Sequence, residues 1–490
     1  MGYATVPDLL AGAAERFGAA PALLTAETSK SFTQLRAAVE GAAAGLRTRG
    51  ARPGDRILMA AGNSPATVYA WLGAIWLGAL PALVNPALTQ PELDYLAADL
   101  EPALTLREEA EITALTEKGE RIEPHTADPS APAAIVYTSG TTSRPKGVLV
   151  RHAAYTETGL SFPGWIGLAG PQRLWACLPL FHINAQAYSL MSALAHGHAL
   201  VLSPRFHASS FWHEAADLEV TAVNVVGAML TMLERQPPES WAPSRLSTIY
   251  AAPAPRTPPE RTALEARFQV RIVGGYGMSE NTFGCVESPT ARAKPGCIGR
   301  PRQPASRRFR NQVRVVDPDS GAEVGPGVAG ELRFRNPLLT PGYWRAPELT
   351  AQVLTDGWLR TGDAGYVDAD GDLTLAGRYK EMIRRRGENI APAEVEDALL
   401  GHPAVVSAAA FGVPSELGEE EVVAAVVRRA DTPVSEAELR EFAARSLAPY
   451  KVPSRVVFRE SLPMTPTQRV ARDELRREYS GLAGEGTRQL

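Results

Sequence analysis

Two rhythms of apolar residues run along this chain. Short apolar runs closed by Gly or Pro, among them RILMAAG (56–62), AAIVYTSG (133–140), HALVLSP (198–204), TAVNVVG (221–227) and RIVGGYG (271–277), have the length and punctuation of strands covered on both faces. Between them lie helical stretches such as AAVEGAAAGLRTRG (37–50), which ends in Gly and leads through ARPGD into the first of those strands. The alternation predicts an α/β fold with large sheets. From residue 312 the texture changes: QVRVVDPDSG, GELRFRN and GYVDADGDLTLAG read as hairpins with Ser-Gly or Asp-Gly turns and predict a small barrel-like β portion. After Gly377 come a basic cluster, a helix over 392–401, the runs VVSAAAFGV and EVVAAVV, and a helix from Ser435, the makings of a compact α+β domain.

The longest apolar run, VYAWLGAIWLGALPALV at 68–84, is marginal in length for a membrane span and is cut by Pro81. It reads as a buried helix followed by a buried strand. A chain of 490 residues exceeds what one core usually supports, so two or more domains are expected. Net charge is only −4 and no block of like charge forms a tail, which disfavours nucleic acid or an anionic membrane and favours a small-molecule partner. Three cysteines, Cys177, Cys285 and Cys297, are odd in number and never form a C-x-x-C pair, which argues against a disulfide framework or a zinc site. The first residues lack the pattern of a secretion signal, and Val6 stands where a myristoylation signal needs Ser or Thr. A reducing cytoplasm fits.

YTSGTTSRPKGV at 137–148 follows a predicted strand. Gly140 and Gly147 let backbone amides approach an anion, Ser139, Thr141 and Thr142 offer hydroxyls, and Lys146 supplies a point charge suited to a polyphosphate. The order is not that of a Walker loop, because Lys146 precedes Gly147 and no hydroxyl residue follows. A solvated Ser/Thr/Gly turn is the alternative. Taken alone, Glu280 likewise reads as a solvated helix start, Asp363 as an Asx-turn residue and Arg384 to Arg386 as a solvated face.

Five stretches in order change the weighing: YTSGTTSRPKGV, GGYGMSE (274–280), TGDAGY (361–366), GRYKEMIRRRGENI (377–390) and LPMTPTQRVARDEL (462–475). Together they resemble the adenylate-forming superfamily of acyl-CoA synthetases and aryl-CoA ligases, over nearly the whole chain. The resemblance implies an N-terminal adenylation domain, 1–379, and a mobile C-terminal domain, 380–490, hinged at Lys380. It implies an ATP- and Mg²⁺-dependent ligase that turns a small carboxylic acid into an acyl-adenylate with loss of pyrophosphate, then passes it to CoA. Thr138, Ser139, Gly140, Thr141, Thr142 and Lys146 would hold phosphates, Glu280 would ligate Mg²⁺ beside Thr138, and Arg469 would stand at the catalytic position of the C-terminal signature. Gly275, Tyr276, Gly277, Met278 and Ser279 would face the nucleotide, with Tyr276 stacked on adenine, Asp363 on the ribose and Arg378 on ribose or phosphate. His182, Ile183, Gly227, Thr282, Phe283 and Gly284 would line the acid pocket, His182 as wall or gate with a catalytic role in view. Gly387 would let pantetheine pass closely. A homodimer is compatible with this reading.

Departures from the family pattern keep two alternatives open. The usual Gly-Lys of the C-terminal signature is Gln468-Arg469 here, and guanidinium is larger and planar where the family has an ammonium. Ser143 replaces a loop glycine, YAAPAPRTPP (250–259) replaces a glycine-rich segment, and RPRQPASRRFRNQVR (300–314) is unusually basic. One alternative is a diazotase-like enzyme that activates nitrite for an aryl amine without CoA. The other is a nucleotide-binding paralogue without turnover.

Overall fold

The computed structural model describes residues 4–116, 121–139, 145–252, 258–290, 294–378, 381–385, 388–414, 420–429, 431–447, 449–464 and 470–480, the side chains of Thr116, Ser139, Arg378, Arg384, Glu388 and Asn389 aside. The chain is a mixed α/β protein that divides into two compact units: residues 1–313 with 334–360, and residues 314–333 with 361–490.

Two sheets build the larger unit. In the first, the strands Leu104–Leu106, Arg56–Ala60, Leu80–Val84 and Pro132–Ser139 lie parallel in that order, and Pro145–Arg151 closes the edge antiparallel to Pro132–Ser139. The second runs Ser29–Ser31, Pro21–Leu24, Ala199–Leu202, Arg173–Ala176, Ala222–Val225, Thr248–Ala251, Arg271–Met278, Asn281–Val286 and Cys297–Pro301. From Pro21–Leu24 to Arg271–Met278 its strands are parallel, and the last two pairings are antiparallel. The run at 68–84 becomes the helix Pro65–Leu77 and the strand Leu80–Val84, with Pro81 inside the strand. Ser64 caps the helix by accepting from the Thr67 amide, and Gly78 ends it at φ 83°, a conformation that costs glycine little. Because every face of this helix is apolar, it is enclosed, chiefly by Phe32–Thr48. Gly73 makes that approach possible, since a Cβ there would lie 2.9 Å from the Ala43 nitrogen.

The smaller unit holds parts of the hairpin strands predicted after residue 312, of which Trp358–Val367 and Leu373–Arg378 pair antiparallel around the Asp368 turn. It also holds a three-stranded sheet, Val405–Pro414, Glu420–Arg428 and Arg455–Arg459. The helices Pro392–Leu400 and Glu436–Ala444 bury Val395, Leu399 and Leu439 against Val422, Ala424 and Val426 of that sheet. Among the described residues, all three cysteines are free and no helix is long and apolar enough to cross a membrane.

Two buried histidines tie the larger unit to pH. The His152 Nδ1 accepts from the Val6 amide and that of His198 from the Gln172 amide, and burial holds each imidazole neutral down to about pH 4. Unfolded, each would take up a proton near its ordinary value of 6.5. The unfolded chain therefore binds more protons between those limits, so stability is full above about pH 6.5 and is lost as pH falls toward 4. His152→Gln, which keeps an acceptor for Val6, should flatten this acid slope in urea midpoints measured between about pH 4.5 and 7.

Candidate functional site

The Pro132–Ser139 and Pro145–Arg151 strands carry the first group of site residues. Their register sets Thr138 opposite Lys146 and Tyr137 opposite Gly147. Tyr137 donates to the Asp99 carboxylate at 2.6 Å, which ties down the strand edge on its far side; burial, and then this bond, push its hydroxyl pKa up. A Cβ on Gly147 would sit 2.8 Å from Ile135, which leaves glycine as the residue that fits beside Lys146. Gly140, Thr141 and Thr142 lie outside the described residues, as does the side chain of Ser139.

Glu280 stands at a turn between the antiparallel strands Arg271–Met278 and Asn281–Val286, not at a helix start. Glu280 is only 5% exposed, and such a charge is costly to bury unless it is answered. Two groups answer it. The Lys146 Nζ lies 3.6 Å from Glu280 Oε1, and the Tyr343 hydroxyl donates to the same oxygen at 2.7 Å. Lys146 in turn donates to the Tyr343 hydroxyl at 2.8 Å. Tyr343, which the sequence reading did not single out, thus joins the two residues that it did. These are hard oxygen donors beside a cation, a set that suits a magnesium–polyphosphate pair.

Gly275, Tyr276, Gly277 and Met278 lie on one strand, followed at the turn by Ser279. Tyr276 is buried with one face stacked on Phe334, ring centroids 6.0 Å apart. Gly284 must be glycine here, since a Cβ would fall 1.7 Å from the Tyr276 carbonyl oxygen. Phe283 is fully buried between Trp165 and Phe309, so it supports the site from the core. Thr282 is also internal: its hydroxyl accepts from Thr158 and its carbonyl from Tyr188.

His182 and Ile183 precede a π-helical segment, Asn184–Leu190. Such segments are rare and concentrate at functional sites. The turn that leads into it hangs on Asn63, whose buried amide points at the carbonyls of Ala176, Leu178 and Ser203 and whose Oδ1 accepts from the Leu180 amide at 2.7 Å. Phe181 crosses the His182 ring edge-on, and desolvation by surrounding atoms lowers the His182 pKa, which favours neutral imidazole. On the sheet beside this segment, Asn224 donates to Asn184 and Ser189. Tyr250 reaches toward Gly275 and Tyr188 toward Gly277, so that a Cβ on either glycine would lie 2.5 or 2.7 Å from the respective hydroxyl. Gly227 opens the helix Gly227–Glu234 after the Asn224 strand.

In the smaller unit, Asp363 and Arg378 are directly opposed on paired strands. Asp363 is buried, and its amide donates to Thr361 Oγ1 while that hydroxyl donates to the Leu332 carbonyl. The Arg378 side chain, Lys380, Arg386, Gly387 and Arg469 lie outside the described residues. Arg385 is committed within its own unit: it pairs with Glu421 at 2.7 Å and donates to the carbonyls of Tyr450 and Val452.

Residues 10–344 match the family of AMP-binding enzymes, and residues 394–469 match the C-terminal domain of those enzymes. Sulfoacetate–CoA ligase of Cupriavidus necator is 38% identical over 350 residues, covering 71% of this chain and 67% of that protein. Feruloyl-CoA synthase of an Amycolatopsis species is 32% identical over 478 residues, covering 92% and 94%. ATP-bound MatB from Rhodopseudomonas palustris superposes with a TM-score of 0.87 at 25% identity over 98% of this chain and 100% of that one. O-succinylbenzoate CoA synthetase from Bacillus subtilis, in complex with ATP and magnesium, gives 0.84 at 27% identity, covering 95% and 98%.

Asn63→Ala should strand the carbonyls of Ala176, Leu178 and Ser203 and the amide of Leu180, and cost about 3 kcal/mol. Thermal melting and the half-saturation for the acid, measured together, check this: both should worsen, because the same turn carries His182.

Proposed function

The chain belongs to the AMP-binding enzyme family and is an adenylate-forming acid–CoA ligase, and from that premise we propose how its residues divide the work. The acid's carboxylate oxygen attacks the α-phosphorus of ATP, an acyl–AMP anhydride forms and pyrophosphate leaves with the electron pair. The CoA thiol, having given up its proton, then attacks the acyl carbon and AMP departs. The observation that carries this reading is the cluster of Lys146, Tyr343 and Glu280 at the end of the paired strands, an ammonium and a carboxylate held 3.6 Å apart and bridged by a phenol.

Lys146 neutralises the phosphates as charge moves onto the leaving pyrophosphate, with Thr138 to Thr142 as donors. Glu280 and Thr138 would hold magnesium, which would supply Lewis-acid polarisation of the phosphate oxygens. Tyr276 offers a ring to adenine, and Asp363, whose backbone is fixed by Thr361, accepts the ribose hydroxyls beside Arg378. Arg469 takes the lysine's place against the carboxylate, and Gly387 admits pantetheine when residues 380–490 reorient about Lys380. CoA is the acceptor, and the cytoplasm supplies both nucleotide and thiol. A homodimer remains compatible with this scheme.

The acid is small and polar. Tyr188 and Tyr250 fill the space under Gly277 and Gly275, and Asn184, Ser189 and Asn224 place amides and a hydroxyl beside it. Two relatives are named for sulfoacetate and oxalate, both short acids with a second anionic group.

Pyrophosphate release from Mg-ATP, run against short dianionic, short monoanionic, fatty and aryl acids with and without CoA, tests the proposal. A CoA ester of a short polar acid is the expected product. Release that requires nitrite and an aryl amine and ignores CoA would replace it.

A further inference from the structure

The stretch Thr340 to Trp344 is laced to both halves of the polyphosphate cluster. Toward the Lys146 strand, the Gly342 carbonyl accepts from the Leu149 amide at 3.1 Å and the Trp344 amide donates to the Gly147 carbonyl at 2.7 Å. Toward Glu280, the Thr340 amide donates to the Glu280 carbonyl at 2.9 Å. Gly342 has φ +143° and a Cβ there would lie 2.6 Å from Thr350, so the stretch is shaped for glycine at that point. The Tyr343 amide donates to Thr350 Oγ1 at 2.9 Å, which fixes the backbone from which the ring projects.

That ring meets Lys146 twice. The ammonium lies 4.1 Å from the ring centroid and donates to the hydroxyl, which itself donates to Glu280. With one proton and lone pairs to spare, a phenol can accept from an ammonium while donating to a carboxylate, which an aliphatic or purely aromatic side chain cannot do.

We propose that Tyr343 is a positioning residue that sets the spacing of Lys146 and Glu280, holding the ammonium 3.6 Å from the carboxylate rather than in closer contact, so that magnesium can displace it from Glu280 and leave it free for the triphosphate. This rests on the reading of Lys146 and Glu280 as the phosphate and metal groups. Without the hydroxyl, Lys146 closes further on Glu280, and the tightened ion pair competes more strongly with the metal for the carboxylate. Tyr343 therefore acts through its two neighbours and governs the metal dependence of nucleotide binding more than the chemical step.

The test is Tyr343→Phe, which keeps the ring over Lys146 and removes only the hydroxyl. Free magnesium is titrated at fixed ATP, with pyrophosphate release and nucleotide-induced rise in melting temperature as independent readouts. Half-saturating magnesium should rise about tenfold, the scale of one charge-assisted hydrogen bond, while kcat at saturating metal falls far less. Thr350→Val, which loosens the Tyr343 backbone, should move half-saturation in the same direction and serves if the Phe variant fails to fold. An unchanged magnesium curve in the folded variants, or a loss confined to kcat, overturns the proposal. Wild-type protein that shows neither Mg-ATP-dependent stabilisation nor pyrophosphate release would instead sink the functional reading itself.

Discussion

A carboxylate withdrawn from water must have its charge answered, and the way Glu280 is answered organises the larger unit's site. Its partners come from far apart in the chain: Lys146 on an edge strand and Tyr343 in the stretch that borders that strand. Lys146 is the charged partner, and its removal would leave the buried carboxylate uncompensated, at a cost of several kcal/mol. The surrounding construction serves this placement. Tyr137 anchors the strand pair through Asp99, Gly147 lets it pack on Ile135, and the turn after Met278 projects Glu280 back toward Lys146.

The same economy holds at the acid side. Asn63 satisfies a whole turn of backbone with one side chain and so delivers His182 and the π-helical segment to the carboxyl ends of the parallel strands. Crevices at the carboxyl ends of parallel strands are where α/β sheets take their ligands. Tyr188, Tyr250 and Phe162 pack there as a rigid aromatic group, with Phe162 stacked on Tyr188 at 4.6 Å.

Much of the fold was legible because its physics is local. The 68–84 run resolves into the expected helix and strand, although the break falls at Gly78 and Pro81 lies inside the strand, and the strand runs before Gly and Pro fall where expected. The site was legible only as far as its charged residues. Glu280 follows Ser279, which imitates a helix cap, but Thr282, Phe283 and Val286 prefer a pleated surface and pair as a strand, so the carboxylate ends up on a turn. Tyr343 carries no charge and sits 197 residues from Lys146, so no spacing could mark it. The basic stretch 300–314 is partly internal. Asn311 bonds the carbonyls of Phe283 and Gly284, the Gln303 carbonyl accepts from Trp165, and the Ala305 amide donates to Ser161. Those bonds need tertiary neighbours that a linear reading cannot supply.

The central claim is that a carboxylate oxygen becomes bonded to the α-phosphorus of ATP. An acid carrying oxygen-18 in its carboxylate, turned over with ATP and CoA, tests this by mass spectrometry of the nucleotide product. The account predicts AMP that bears one labelled oxygen, because the bridging oxygen leaves with AMP when the thiol attacks. Unlabelled AMP, or ADP with labelled phosphate, would contradict it.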